Sequence, residues 1–346
     1  VRKGSFFRKS VLAACLFWAA QTAQSQDLHF SQLANAPLVV NPGLAGIFGG
    51  DVRAAVNLRD QWRSVRVPYT TFSGSVERKF YHQKQRYDQY FTGGLLLNFD
   101  QQGTLQLTTI RIGLPLSYVR PIGQNHYLSA GLLPAFGQRS LSTANLTTDA
   151  QWVGGIFDPS APTMEDLLNI GPPLRYFDLS AGLNYRYQGI VTRSKVDAGL
   201  AFHHINRPDF DFWETGEDIR LGVRTAVYVM GAVQVSADLD AVGLAVYQRQ
   251  GGYAQTLWGI AGRVHLVRES YKELALQLGV NYRSRFNDAV IPHAEAHWKT
   301  WVLGFSYDIN VSQFKVATER RGGPELSLVY RLYRVKPAPF KSCPII

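Results

Sequence analysis

From Tyr176 to Tyr187 the side chains alternate without interruption. Phe177, Leu179, Ala181, Leu183, Tyr185 and Tyr187 fall on one face; Asp178, Ser180, Gly182, Asn184 and Arg186 fall on the other. A period of two held over about twelve residues marks a β-strand, and a long one by globular standards. An apolar face with aromatics, set against a polar face, suits a strand with lipid outside and water inside. The pattern returns where Leu326, Leu328, Tyr330 and Leu332 oppose Ser327, Val329, Arg331 and Tyr333. It returns again where His293, Glu295 and His297 oppose Ala294, Ala296 and Trp298. The predicted fold class is all-β, a transmembrane antiparallel β-barrel. Its lipid face is expected to carry Phe177, Leu179, Leu183, Leu326, Leu328 and Leu332.

A helical membrane protein is the alternative to exclude. After residue 25 no segment approaches the roughly 18 consecutive apolar residues that a spanning helix requires. The 17 Tyr, 19 Phe, 7 Trp and 31 Gly, against 2 Met, suit pleated surfaces and tight turns.

About fourteen such segments can be placed: 51–60, 68–80, 89–100, 104–120, 125–139, 174–188, 193–206, 218–234, 239–250, 254–268, 272–284, 288–298, 300–311 and 323–333. An even number suits a bacterial single-chain barrel. The longest connections, 61–67, 140–173, 207–217 and 312–322, all follow odd-numbered segments and so share one side. Long external loops opposite short periplasmic turns are the usual asymmetry, which puts both barrel termini at the periplasm.

Flanking the barrel at 51–333 are three other segments. Residues 1–25 read as a cleaved signal peptide: Arg2, Lys3, Arg8 and Lys9 precede the apolar run Val11–Ala20, and Ala23 and Ser25 precede Gln26. Leu12-Ala13-Ala14-Cys15 also spells a lipoprotein signal, but the apolar run continues past it through Leu16, Phe17 and Trp18. Residues 26–50 contain Pro37 and Pro42 and are rich in glycine, so no regular strand or long helix forms there. They are too apolar for a solvated tail, and a plug-like segment is expected, with Phe30, Asn41, Pro42 and Gly46 among its residues. Residues 334–346 are basic and broken by proline, as expected of a periplasmic tail. Without the leader, 32 basic residues face 26 acidic ones, a net charge of +6 spread along the chain; an exported chain with that balance has no nucleic-acid partner. Cys343 is then the single cysteine, so no internal disulfide forms.

Catalytic constellations are scarce. His293 and His297 sit four apart, which on a strand separates them by about 13 Å, too far to share a metal ion. His203 and His204 are adjacent and are expected on opposite faces. There is no G-x-S-x-G nucleophile turn, and the Gly-Gly pairs lack phosphate-loop context. No cofactor and no enzymatic activity are expected. The connection 140–173 is the expected working surface, because a loop this long in a compact domain commonly carries function. It holds Trp152, Phe157, Asp158, Met164, Glu165 and Asp166. By strand parity it shares a side with His204, Asn206 and Arg207, which complete the expected partner-binding set.

Several stretches resemble the PorP/SprF family of type IX secretion proteins of Bacteroidota. They are FSQLANAPLVVNPGLAG (30–46), RDQW with PYTTFSGS (59–75), QWVGGIFDP (151–159), HHINRP (203–208) and SYDINVSQFKVATERRGGPELSLVY (306–330). Gly43 and Pro324 depart from the family pattern. The resemblance implies an outer-membrane barrel that assists export or surface anchoring of a large secreted adhesin-type cargo. Its partners are then type IX secretion components, that cargo and outer-membrane lipid, with a link to gliding motility in some members. The family brings no cofactor or catalytic residue. The competing reading from the residues is a general pore for small solutes, and an outer-membrane lipase is a weaker third.

Overall fold

A computed structural model of the chain describes residues 27–61, 69–83, 86–103, 105–142, 148–153, 156–162, 172–211, 219–269, 272–284, 288–312 and 321–333. The leader 1–25, the tail 334–346 with Cys343, and Met164, Glu165 and Asp166 lie outside the described residues.

The strands are β1 (Val52–Gln61), β2 (Tyr69–Gln83), β3 (Arg86–Gln102), β4 (Leu107–Gly113), β5 (Leu116–Gly123), β6 (His126–Ser140), the short β7 (Trp152–Val153) and β8 (Ile156–Phe157), β9 (Leu174–Gln188), β10 (Lys195–His203), β11 (Arg224–Gln234), β12 (Leu239–Gln250), β13 (Tyr253–Val267), β14 (Leu274–Ser284), β15 (Ala289–Trp298), β16 (Trp301–Asn310) and β17 (Arg321–Leu332). All but β7 and β8 join one 15-stranded antiparallel sheet. β1 pairs with β17 from Val52↔Leu332 to Arg59↔Glu325, which closes the sheet into a barrel. β4 and β5 both lie between β3 and β6 and occupy a single place, so the barrel has fourteen staves.

The single segment expected over 104–120 is thus broken in the middle. Pro115 has no N–H for the ladder, and a second proline, Pro134, stands on β6 opposite its neighbour Leu114. The register is the same on both sides of the interruption, Gly113↔Ala135 and Leu116↔Leu132, and Leu114 N–H bridges it to Pro134 O at 2.9 Å. β10 also ends earlier than expected, at His203, and β11 starts later, at Arg224. The cause is local: His204 and Arg207 adopt φ of 58° and 44°, and the chain turns out of the sheet.

The end where β1 begins and β17 finishes is called the near end, and the opposite one the far end. The long connections expected on one side all lie at the far end, including the one that carries the β7–β8 hairpin. Phe177, Leu183, Leu326, Leu328 and Leu332 face outward and exposed, with Leu179 half-covered among them. Along the same strands the inward positions carry Asp178, Ser180, Glu325 and Ser327, all buried.

What buries those polar groups is the chain between Asp27 and Asp51. A single helical turn, Pro37–Val40, and a 3-10 turn, Pro42–Leu44, are its only regular parts among the described residues. Phe30, Leu33, Ala36, Val39, Val40, Leu44 and Ile47 form one apolar cluster with Tyr90, Val119, Tyr228, Val246, Leu257 and Ile291, which come from strands all round the wall. The segment therefore runs inside the barrel.

Candidate functional site

An irregular chain inside a barrel has peptide groups with no ladder to join, and each one left unsatisfied costs free energy. The inward side chains of the wall supply the partners. At the far end the Asp27 carboxylate lies 3.1 Å from His204 Nε2 and 3.3 Å from Arg224, while His204 Nδ1 lies 2.9 Å from Asp178. Burial alone raises the Asp27 pKa, but Arg224 and Arg111 outweigh it and hold the carboxyl well below its ordinary range. Burial alone lowers His204, and its hydrogen bonds to Asp178 and Asp27 outweigh that, leaving its pKa raised.

One turn further in, Glu325 accepts two consecutive backbone hydrogen bonds, from Ser31 N–H at 2.7 Å and Gln32 N–H at 2.8 Å. Ser31 Oγ donates to Asp308 at 2.7 Å and accepts from Arg283 at 2.5 Å. Asp308 in turn pairs with Arg59 at 2.5 Å and Arg283 at 2.8 Å, so two acids and two arginines close around one serine. Asn35 Nδ2 donates to Glu295 at 3.1 Å and to Ser327 at 3.0 Å, and its carbonyl accepts from Asn57 at 3.1 Å.

Beyond the helical turn the partners are mostly neutral. Asn41 Nδ2 donates to Leu183 O at 2.9 Å and to the Tyr228 hydroxyl at 3.0 Å, while its Oδ1 accepts from Gly43 N–H at 2.6 Å. Asn41 presses so closely on Gly182 that any side chain there would collide with its amide. Pro42 opens the 3-10 turn and is buried. Ser129 and Ser117 donate to Gly43 O at 2.6 Å and Ala45 O at 2.7 Å. Gly46 turns the chain at φ 76°; its N–H donates to Glu77 at 3.0 Å, and Tyr90 donates to its carbonyl at 3.0 Å. Lys79 and Arg53 both lie 4.6 Å from the Phe48 ring centre, and Asp51 N–H joins Leu332 O at the near end. Phe30, Asn41, Pro42 and Gly46, expected in this segment, are all buried within it.

The expected partner-binding residues divide. Trp152 and Phe157 are cross-strand neighbours on the β7–β8 hairpin, their rings 5.8 Å apart, and both are exposed together with Val153 and Ile156. Gln151 holds the base of this hairpin: Nε2 donates to Ala161 O at 3.1 Å and Oε1 accepts Thr148 N–H at 3.1 Å. Exposed Asp158 accepts from Ser160 Oγ at 2.5 Å and Ser160 N–H at 2.8 Å, which keeps its carboxyl below the ordinary range. Asn206 grips the outer edge of β9, donating to Phe177 O at 2.7 Å and accepting Leu179 N–H at 3.0 Å. Arg207 is exposed beside it. His204 is buried and turned into the lumen, a different place from the surface position expected. It also shares the interior with His203, whose Nε2 donates to Val40 O at 3.1 Å; the two rings lie 6.3 Å apart rather than on opposite faces. The left-handed backbone at His204 is what swings it inward.

Sequence reasoning did not single out Glu325, Asp308, Arg59, Arg283 or Gln151. Arg59, Asp308, Glu325 and Gln151 lie within the stretches that resemble the family, and Arg283 offered only a charge at an inward position of an alternating strand. His297 lies 3.0 Å from Glu295, and the described residues contain no group of three side chains fit to hold a metal ion.

Comparison with known proteins places this geometry. A family model described as type IX secretion system membrane protein PorP/SprF matches residues 22–330. No curated protein matches the sequence. Among solved structures the chain is similar to the CymD monoaromatic hydrocarbon channel, at TM-score 0.48 and 11% identity over 88% of this chain and 94% of that one. It is similar to the Pseudomonas putida toluene transporter TodX at TM-score 0.46 and 10% identity, over 88% and 94% of the two chains. A Pseudomonas aeruginosa FadL homologue matches at TM-score 0.46 and 11% identity, over 85% and 93%.

Proposed function

Since this chain belongs to the PorP/SprF family of type IX secretion membrane proteins, we propose that it is a non-catalytic outer-membrane partner in export. In this reading it holds a large secreted adhesin-type cargo at the cell surface, alongside other type IX components, and it reaches the membrane through a cleaved signal peptide. A link to gliding motility belongs to the same reading. The observation that carries it is the β7–β8 hairpin, where four apolar side chains stand exposed on a rim far from both barrel termini. Aromatic residues ringed by polar ones are where binding energy concentrates. Asp158, Asn206 and Arg207 supply the polar surround, and His204 acts from behind, by fixing the segment beneath. The near-end tail after Tyr333 is the competing attachment point.

A general pore for small solutes is the second reading. It is disfavoured by the apolar and hydrogen-bonded segment across the lumen, which we read as a plug, and fold alone does not assign a function. The test is the double variant Trp152→Ala with Phe157→Ala, scored by whole-cell immunolabelling of the cargo beside a truncation after Tyr333. Loss of about thirtyfold in affinity is expected for a truncated aromatic anchor worth about 2 kcal/mol. Full retention in the loop variant with loss in the truncation places the cargo at the other end.

A further inference from the structure

At the near end, between the lumenal segment and the wall from β9 to β15, lies a cavity of about 190 Å³. An engineered cavity of about 150 Å³ takes up benzene, so this one has room for a small molecule or for one side chain of a longer one. Arg186, Lys195, Arg263 and Arg331 line it, together with the acids Asp197 and Glu295. The acids are already engaged. Asp197 pairs with Arg186 at 2.6 Å, and Glu295 meets Asn35 at 3.1 Å and His297 at 3.0 Å. Arg53, also at the cavity, is taken by Glu77 at 2.7 Å.

Lys195, Arg263 and Arg331 have no carboxylate partner among the described residues. Arg263 spends two N–H groups on neutral Gln277, at 3.1 Å and 2.7 Å. Arg331 meets the Tyr333 hydroxyl. Three cations thus share one recess of low-dielectric walls, none of them in an ion pair among the described residues, with Glu295 the one lining carboxylate that no arginine or lysine bonds. Such an arrangement repels itself and concentrates anions. The deeper wall is apolar, with Met230, Leu244 and Ile47. A bound group therefore meets charge at the near-end mouth and apolar surface behind it.

We propose that this cavity is an anion-binding site, taking a carboxylate or phosphate group presented from the near end. The group belongs either to a small diffusible molecule or to an acidic peptide segment that enters the barrel mouth. Charge-assisted hydrogen bonds from Lys195, Arg263 and Arg331 hold its oxygens, and the ion pair Arg186–Asp197 walls one side. The site is separate from the far-end hairpin, and it stands or falls without any secretion partner.

The experiment uses the full-length barrel, purified in detergent and titrated calorimetrically at constant ionic strength with inorganic phosphate, oligoglutamate and oligoglutamine. Phosphate binding with oligoglutamate no tighter identifies a diffusible anion, and tighter oligoglutamate identifies a peptide; both support the site. Lys195→Gln with Arg331→Gln is expected to weaken binding about tenfold or more, a loss of about 1.4 kcal/mol or more. Lys299→Gln, a cation outside the cavity, is expected to leave it unchanged. Heat-modified gel mobility checks that each variant is a closed barrel. If the double variant does not fold, Lys195→Gln alone serves, since it leaves no ion-pair partner stranded. Failure of both anions to bind the unaltered protein, binding of oligoglutamine as tight as oligoglutamate, or unchanged affinity in the lysine variant overturns the proposal.

Discussion

The two halves of the lumenal segment are held by different physics. From Asp27 to Asn35 the grip is ionic: Asp308, Glu325, Arg59 and Arg283 converge on Ser31, and His204 and Arg224 on Asp27. From Pro37 to Phe48 the segment's own side chains form no ion pair among the described residues: the grip is apolar burial with single hydrogen bonds, most of them from neutral Asn41, Ser129, Ser117 and Tyr90, and the charged Glu77, Arg224 and Lys79 each bond only a backbone group of it. Buried ion pairs add little net stability because desolvation offsets attraction, yet breaking one by halves is expensive. Packing and neutral bonds lose energy in smaller steps. The first half is thus positioned by a brittle network, and the second by many modest contacts.

The largest break is expected from Asp308→Ala. It leaves Arg59 and Arg283 only their longer carboxylate contacts, to Glu325 at 4.0 Å and Asp288 at 3.5 Å, and removes the acceptor of Ser31 Oγ, at a cost on the order of 3–5 kcal/mol. Protease cleavage near Ser31 with continued protection of Pro37–Phe48 is the expected reading, and equal exposure of both halves would erase the distinction. The outer wall sets the next scale. Leu328→Arg, near mid-strand on the lipid face, should cost roughly 2–4 kcal/mol, seen as a lost heat-modified gel shift. Unchanged insertion of that variant removes Leu328 from the lipid face. In the second half, Asn41→Ala removes contacts to Leu183 O, the Tyr228 hydroxyl and Gly43 N–H. A cost of about 1–3 kcal/mol is expected in denaturant unfolding, smaller than for Asp308; the reverse order would sink the comparison.

Acidity gives the smallest effect, confined to the first half. The raised His204 pKa contributes in full below its ordinary value near 6.5 and is lost as pH rises through the raised one. The depressed Asp27 pKa contributes above its ordinary value near 4 and is lost only as pH falls through the lowered one. The ionic grip is then firmest between about pH 4 and 6.5. The hydrogen-exchange protection factors of Leu28 to Gln32, taken relative to the base-catalysed rate of the free amides, should fall on going to alkaline pH, while those of Asn41 and Gly43 stay level.

Alternation made the wall readable. β9 and β12 begin and end where the sequence placed them, because a strand with lipid on one side and a polar lumen on the other has no freedom of register. The break between β4 and β5 fell inside one expected segment, 104–120, because Pro115 interrupts the ladder without changing its register. The site was less legible. Glu325 showed only as one residue of the stretch 306–330, and its partner Ser31 lies 294 positions away in a segment without periodicity. Nothing local to either residue announces that contact. The hairpin residues Trp152 and Phe157 stood out because large apolar side chains in a long connection have no core of their own to enter. His204 was misplaced because one left-handed residue reverses the direction that strand parity predicts.

The lumenal segment enters at the far end, beside His204, and leaves at the near end, where Asp51 leads into β1. A chain that runs lengthwise through its own barrel dictates an order of assembly. β1 is tied to that segment, and β1 is also one lip of the seam that β17 must meet. While the sheet is still an open trough, the segment can be laid in sideways; once the seam has zipped, reaching the same place means drawing a polypeptide end through a filled bore. Closure therefore follows the laying-in of the segment, and any machine that delivers this barrel to its membrane has to hold the trough open until that segment is lying in it.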